Sequence, residues 1–172
     1  MDKPYDLVLL GATGFTGHLV AEYHNERYGV GGDLRWAVAG RSSAKLDDRK
    51  ISLGADELPT LTADSSERQS LDKLCQATRV VCTTVGPYAK YGDDLVAACA
   101  ASGTHYCDLT GESQWIRRMI DANEAAAQES GAVIVHSCGF DSIPSDLGVY
   151  FLQEAASERN GTPCDQVKFR LE

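Results

Sequence analysis

The sequence predicts an α/β fold: a doubly wound parallel sheet of strand order 3-2-1-4-5-6, with helices on both faces. Two observations carry this. Short apolar runs alternate with helical patterns along nearly the whole chain, and strands buried on both faces read as continuous apolar runs. The first run, Tyr5-Asp6-Leu7-Val8-Leu9-Leu10, leads directly into Gly11-Ala12-Thr13-Gly14-Phe15-Thr16-Gly17. Right-handed crossovers between two similar halves then set the strand order.

The elements follow in turn. The first strand is Leu7–Leu10, and the helix after the glycines runs to about Arg27. Gly29–Asp33 is a loop, and Trp36–Ala39 is a second strand ended by Gly40. A short polar helix covers Ser43–Lys50. Leu58–Ala63 is a weaker third strand, whose Pro59 suits an edge position. Ser66–Ala77 is a helix with Leu71 and Leu74 on one face, and Val80–Thr84 is the fourth strand. The alanine-rich helix Asp93–Ser102 precedes a fifth strand, His105–Asp108. The helix Ser113–Ser130 is the longest, and Ala132–His136 is the sixth strand. A last helix, Ser145–Ala156, starts just after Pro144, as helix entry favours.

Strand, glycine-rich turn and helix together form the arrangement that binds a dinucleotide pyrophosphate. The first glycine allows the tight turn, the second lets backbone approach the phosphates, and the third lets the helix pack on the strand. The helix N-terminus offers unpaired N–H groups and a positive dipole end. The spacing is G-x-x-G-x-x-G, a variant of the usual fingerprint, and a purely structural turn is the alternative reading.

Composition narrows the partners. The chain has 172 residues, 43% hydrophobic and 24% charged, enough for one domain with a core. A net charge of −9 argues against nucleic acid or an anionic membrane as the main partner. No apolar run is long enough to span a bilayer, and Met1-Asp2-Lys3-Pro4 lacks a secretory apolar region, so a cytoplasmic location is expected. Six cysteines without a C-x-x-C pair read as reduced thiols, and the four histidines lack metal-ligand spacing, so no metal is expected.

The second strand ends Ala39-Gly40-Arg41-Ser42-Ser43. An arginine there suits a ribose 2′-phosphate, with Ser42 as a further donor, and favours NADP(H) over NAD(H). Asp33 lies at the wrong end of the sheet for the ribose. Ligands in such sheets lie beyond the carboxyl ends of the strands. There Asp64 is expected near the adenine, or else as a helix cap. Val85, Gly86 and Pro87 turn beside the dinucleotide, while Tyr88 and Tyr91 cover the nicotinamide, face a substrate or simply pack. Asp108, Glu112 and Asp141 are acid/base candidates, of which Asp141 and Glu112 are the expected catalytic pair. For Glu112 the alternative is capping the next helix, and for Asp141 holding its own turn. His105 and His136 read as core residues. His18 reads as solvated, or as reaching a phosphate.

The tail breaks the rhythm. Val167, Phe169 and Leu171 alternate with Gln166, Lys168 and Arg170, which predicts a seventh strand with one wet face. The expected division is a cofactor domain over residues 1–158 and, over 159–172, the start of a truncated substrate domain. Such a tail strand would pair between molecules and give a homodimer.

Five stretches in this order resemble the saccharopine dehydrogenase-like oxidoreductases, a family that includes trans-acting enoyl reductases. They are Gly11–Gly17, Ala39–Ser42, Thr84–Tyr88, His105–Glu112 and Gly139–Asp146. The resemblance covers nearly the whole chain. It implies an N-terminal Rossmann domain followed by a larger α/β domain shaping the substrate site. It places pyrophosphate binding on Gly11, Thr13, Gly14, Phe15, Thr16 and Gly17, the 2′-phosphate on Arg41, and nicotinamide-side contacts on Gly86, Pro87 and Tyr88. It implies hydride transfer to or from a C=N or C=C bond of a small molecule, with this stretch alone inactive. One departure is Gly139-Phe140-Asp141-Ser142-Ile143-Pro144, where lysine-pathway members carry a Gly-x-Asp-Pro-Gly type turn. A non-catalytic NADP(H) sensor or scaffold is the alternative. Short-chain dehydrogenase chemistry is excluded, because no tyrosine has a lysine four residues later.

Overall fold

In a computed structural model describing residues 3–170, six parallel strands hydrogen-bond in the order β3-β2-β1-β4-β5-β6. The strands are β1 (Tyr5–Leu10), β2 (Trp36–Gly40), β3 (Thr60–Thr62), β4 (Thr78–Thr83), β5 (His105–Asp108) and β6 (Ile134–Val135). The helices are α1 (Phe15–Tyr28), α2 (Ser43–Leu53), α3 (Arg68–Ala77), α4 (Tyr88–Tyr91), α5 (Asp93–Ser102), α6 (Ser113–Ser130) and α7 (Ile143–Asn160). This is the predicted doubly wound, Rossmann-like sheet.

The period of two along each strand divides the core. On one face Val8, Leu10, Ala37, Ala39 and Val81 meet Leu71, Leu74, Leu95, Trp115 and Met119 of α3, α5 and α6. On the other, Leu9 and Val38 meet Ala21 of α1 and Leu46 of α2. Every residue of β2 is buried, which is why its sequence Trp-Ala-Val-Ala-Gly carries no polar alternation. At about 25 cal/mol per Å² of apolar surface, these two layers are the main source of stability.

Several boundaries differ from expectation. The third strand shrinks from Leu58–Ala63 to Thr60–Thr62, although the Pro59 carbonyl still accepts from Val38 N at 3.0 Å. The sixth shrinks to Ile134–Val135, and α3 starts at Arg68 because Asp64 holds a turn ahead of it. Helix α4 was not predicted, since four residues leave no periodicity to read. Helix α7 carries Pro144 in its first turn and runs to Asn160, past the expected domain boundary.

The predicted seventh strand is absent. Residues 167–170 form no strand, and Leu171 lies outside the described residues. Alternation supplies an apolar face but no neighbour to pair with. Instead Gln153 of α7 holds the chain at Cys164, accepting from Cys164 N at 2.6 Å and donating to its carbonyl at 3.0 Å. The tail strand expected to mediate a homodimer is therefore missing among the described residues.

Candidate functional site

The glycine turn is built by three different constraints. Gly11 has φ +95°, and a Cβ there would press on Thr84 Oγ1 and Val85 Cγ2 at 2.8 Å. Its N–H donates to the Ala39 carbonyl at 2.9 Å, which stitches the turn to β2. Gly14 has ordinary backbone, and a Cβ there would meet nothing closer than the Gly11 carbonyl oxygen at 3.4 Å. Space beside it is open to an incoming group. At Gly17 a Cβ would collide with the Gly11 carbonyl oxygen, so only glycine lets α1 seat against the turn. No side chain caps the first turn of α1, and no acidic residue lies in it. Its N–H groups are left for an anion.

A cleft of about 450 Å³ opens beside this turn, at the carboxyl ends of β1 to β4. Gly11, Thr13, Gly14, Arg41, Val85, Gly86 and Pro87, all predicted site residues, line it together with Ser65 and Tyr91. Thr84 fixes its floor, donating from N to the Leu10 carbonyl at 3.0 Å. Arg41 is exposed and makes no hydrogen bond or ion pair among the described residues. An unpaired guanidinium, uncapped helix amides and open space at Gly14 fit a phosphorylated dinucleotide.

Other predicted residues are engaged elsewhere. Tyr88 is 5% exposed, and its hydroxyl donates to the Thr83 carbonyl at 3.0 Å. It is a core residue whose phenol burial pushes its pKa up; Tyr91, one turn on, takes the place at the cleft. Ser42 caps α2, accepting from Lys45 N. The Asp64 carboxylate accepts from Ser66 N at 2.9 Å, a local turn that leaves Ser65 to face the cleft. Phe15 is 84% exposed outside the cleft, and Gly17 is buried.

Glu112 departs furthest from expectation. Its carboxylate accepts from Tyr88 N at 2.7 Å and Ala89 N at 2.9 Å. It caps α4, not the α6 that follows it, and ties the loop after β5 to the loop after β4. A carboxylate held by two N–H donors is an acceptor in its resting role.

A second cavity, about 370 Å³, lies beyond Thr84 toward β5 and β6. Thr16 and Val20 of α1, Cys82, Cys107, Cys138 and the exposed Asp141 line it. Behind it sits a network that sequence reading missed. The Asp108 side chain is fully buried and accepts from Tyr106 Oη (2.8 Å), His136 Nδ1 (2.7 Å), Thr110 N (3.1 Å) and Ser137 N (2.9 Å). Burial pushes the carboxyl up, but these donors outweigh it and hold Asp108 below its ordinary range. Ser137, at φ 61°, is held in that left-handed conformation by the same bond and by its own to the Thr110 carbonyl. The pairing was latent in the register. Tyr106 opposes Ile134 and Cys107 opposes Val135, so Asp108 and His136 come next.

Arg49 of α2 was also missed. Its Nε donates to the Ala12 carbonyl at 3.0 Å, and Nη1 meets His18 Nδ1 at 2.6 Å. His18 is therefore neither free in solvent nor a bare phosphate ligand. His105 accepts from Val133 N at the sheet edge. Among the described residues no cluster of metal-ligating side chains occurs, and no helix is long and apolar enough to cross a membrane.

Comparison with known proteins agrees with this geometry. The chain is 46% identical over 167 residues to a trans-acting enoyl reductase of Mycobacterium bovis BCG, covering 95% of this chain and 39% of that protein. It is 45% identical over 166 residues to the Mycobacterium leprae enzyme of the same name, with the same coverage. It thus spans well under half the length of these relatives. Among solved structures, apo saccharopine dehydrogenase (L-Glu forming) from Saccharomyces cerevisiae superimposes with a TM-score of 0.69 at 20% identity, over 91% of this chain and 32% of that one. The leucoanthocyanidin reductase–NADPH complex from Vitis vinifera gives 0.51 at 19% identity, over 76% and 48%. Both likenesses are of fold. Residues 7–135 match the family described as the saccharopine dehydrogenase NADP binding domain. The chain belongs to this family of saccharopine dehydrogenase-like NADP-binding domains, and its cofactor is NADP(H).

Proposed function

We propose that this chain is the cofactor-binding part of an oxidoreductase that moves hydride to or from a C=C or C=N bond of a small molecule. The mycobacterial relatives named as enoyl reductases favour the C=C bond. The observation that carries the reading is the cleft, where the glycine turn, an unpaired Arg41 and the Val85–Pro87 loop share one wall system. When bound, NADP(H) supplies the hydride, and the protein supplies position and electrostatics.

In this reading the α1 amides and the Thr13–Gly14 backbone hold the pyrophosphate. Arg41 takes the 2′-phosphate, with Ser65 beside the adenosine. Gly86 and Pro87 bound the nicotinamide side, and the cavity past Thr84 opens toward the substrate. Asp141, on that cavity's wall, is the remaining acid/base candidate, because Glu112 is engaged with two backbone donors. Residues up to 158 form the cofactor domain, and turnover needs parts found in the longer relatives. The engagement of Glu112 also favours a second reading, a binding module without turnover.

Calorimetric titration of the chain with NADPH and with NADH tests the first reading. The expected result is NADPH binding tighter by at least tenfold, lost on Arg41→Ala, in line with roughly 1.5–3 kcal/mol for a charge-assisted contact. Equal affinities for the two would remove Arg41 from its role. Hydride transfer by the 172-residue chain alone would overturn the need for further parts.

A further inference from the structure

Arg49 makes its contacts at the turn that must meet the pyrophosphate, yet it belongs to α2, the helix after Arg41. We infer that Arg49 is a positioning residue for cofactor binding, which sets the Ala12–Thr13 peptide so that the Thr13 N–H faces the pyrophosphate. The inference rests on the cleft being the NADP(H) site.

Three observations lead there. The guanidinium Nε donates to the Ala12 carbonyl at 3.0 Å. In a trans peptide the carbonyl and the following N–H point in opposite directions, so pinning Ala12 C=O toward Arg49 turns the Thr13 N–H away from it. Thr13 lines the cleft, and its N–H has no acceptor among the described residues. That donor has no competing partner. A cation on the carbonyl also polarises the peptide, which strengthens the N–H at its other end.

His18 holds the guanidinium in place. A guanidinium only donates, so His18 Nδ1, 2.6 Å from Nη1, is the acceptor and the ring carries its proton on Nε2. Nη1 also reaches Ser52 Oγ at 3.3 Å. Arg49 thus joins α2, the glycine turn and α1 through one side chain. No lysine can do the same, because its single ammonium lacks the fork that spans a carbonyl and an imidazole.

The test is calorimetry on the chain with NADPH, NADH and adenosine 2′-phosphate, for Arg49→Ala, Arg49→Lys and Arg41→Ala. Arg49→Ala is expected to weaken NADPH and NADH by the same factor, about tenfold. It leaves adenosine 2′-phosphate unchanged, because that ligand has no pyrophosphate. Arg49→Lys recovers only part of the loss. Arg41→Ala weakens NADPH and adenosine 2′-phosphate but not NADH. Unaltered NADPH affinity in Arg49→Ala, full recovery by lysine, or a parallel loss of adenosine 2′-phosphate would each overturn the inference and leave the cleft assignment standing. Absence of NADPH binding by the unsubstituted chain would overturn both. Should Arg49→Ala fail to fold, His18→Ala reads the same linkage, with an expected loss of about threefold for a neutral partner. No change there would sink the inference.

Discussion

In β2 every residue is buried, whereas in α7, more than three times as long, none is. The two regions use similar apolar residues. Around β2 they join two buried clusters, one shared with α1 and α2 and the other with α3, α5 and α6. On α7, Leu147, Tyr150 and Phe151 stand 55%, 64% and 70% exposed. The contrast teaches where the cofactor machinery gets its rigidity. The glycine turn, Arg49 and Glu112 are all fastened to the interlocked part of the sheet. Helix α7 meets the rest of the fold mainly through its entry loop, where Gly139 packs on Leu109 and Cys138 N donates to the Asp108 carbonyl.

The sharpest way to break the comparison is to truncate one large aromatic in the interlocked core and one on α7. Trp115, 1% exposed, packs against Tyr88 and His136 and donates to Asp93 at 2.6 Å. Trp115→Ala is expected to lower unfolding free energy by about 3–5 kcal/mol in urea titrations. Phe151→Ala is expected to stay within about 0.5 kcal/mol of the parent. Similar losses at both would mean that α7 is packed in solution.

Gly17→Ala comes next. The added methyl meets the Gly11 carbonyl, so α1 must slide from the turn, at a cost of about 1–3 kcal/mol. Thermal unfolding together with NADPH titration checks this, and affinity is expected to fall with stability. Gly148→Ala on α7, where a Cβ meets nothing, is the control and is expected to stabilise by a few tenths to about 1 kcal/mol.

The mildest of the three losses lies at the junction of the two regions, on Asp108. Its carboxyl is held below the ordinary range in the folded chain, so its contribution is present above the unfolded pKa of about 3.9 and is lost as pH falls through the folded value. Asp108→Asn is expected to cost about 1–2 kcal/mol at pH 7 and to narrow the gap to the parent below about pH 4. Urea midpoints at pH 7 and pH 3.5 measure it. A gap that does not shrink on acidification would rule out the carboxylate as its source.

Much of this was legible in the chain itself. Apolar runs revealed the strands, because burial on both faces leaves a mark at every residue of β2 and at Val8–Leu10 of β1, and right-handed crossovers then gave their order. The glycine turn beside the cleft was legible for a different reason: glycine at positions 11 and 17 answers a contact that any Cβ would violate. Arg49 and Glu112 were not legible as clamps. Each acts through a backbone group far away in sequence, and a long charged side chain carries no periodicity to reveal its partner. For Tyr88 the readings of cofactor cover, substrate contact and simple packing stayed open because its one-turn helix is too short to show which side faces inward. The Asp108–His136 pair could have been found by aligning β5 with β6. The tail misled because alternation describes a face and says nothing of a neighbour.

Both margins of the sheet are short, three residues in β3 and two in β6. A ladder that brief offers a visiting strand almost nothing to copy, which is one of the ways proteins keep sheets from growing sideways. The apolar surface left open is on α7, where Leu147, Tyr150 and Phe151 are exposed, and not along a raw sheet edge.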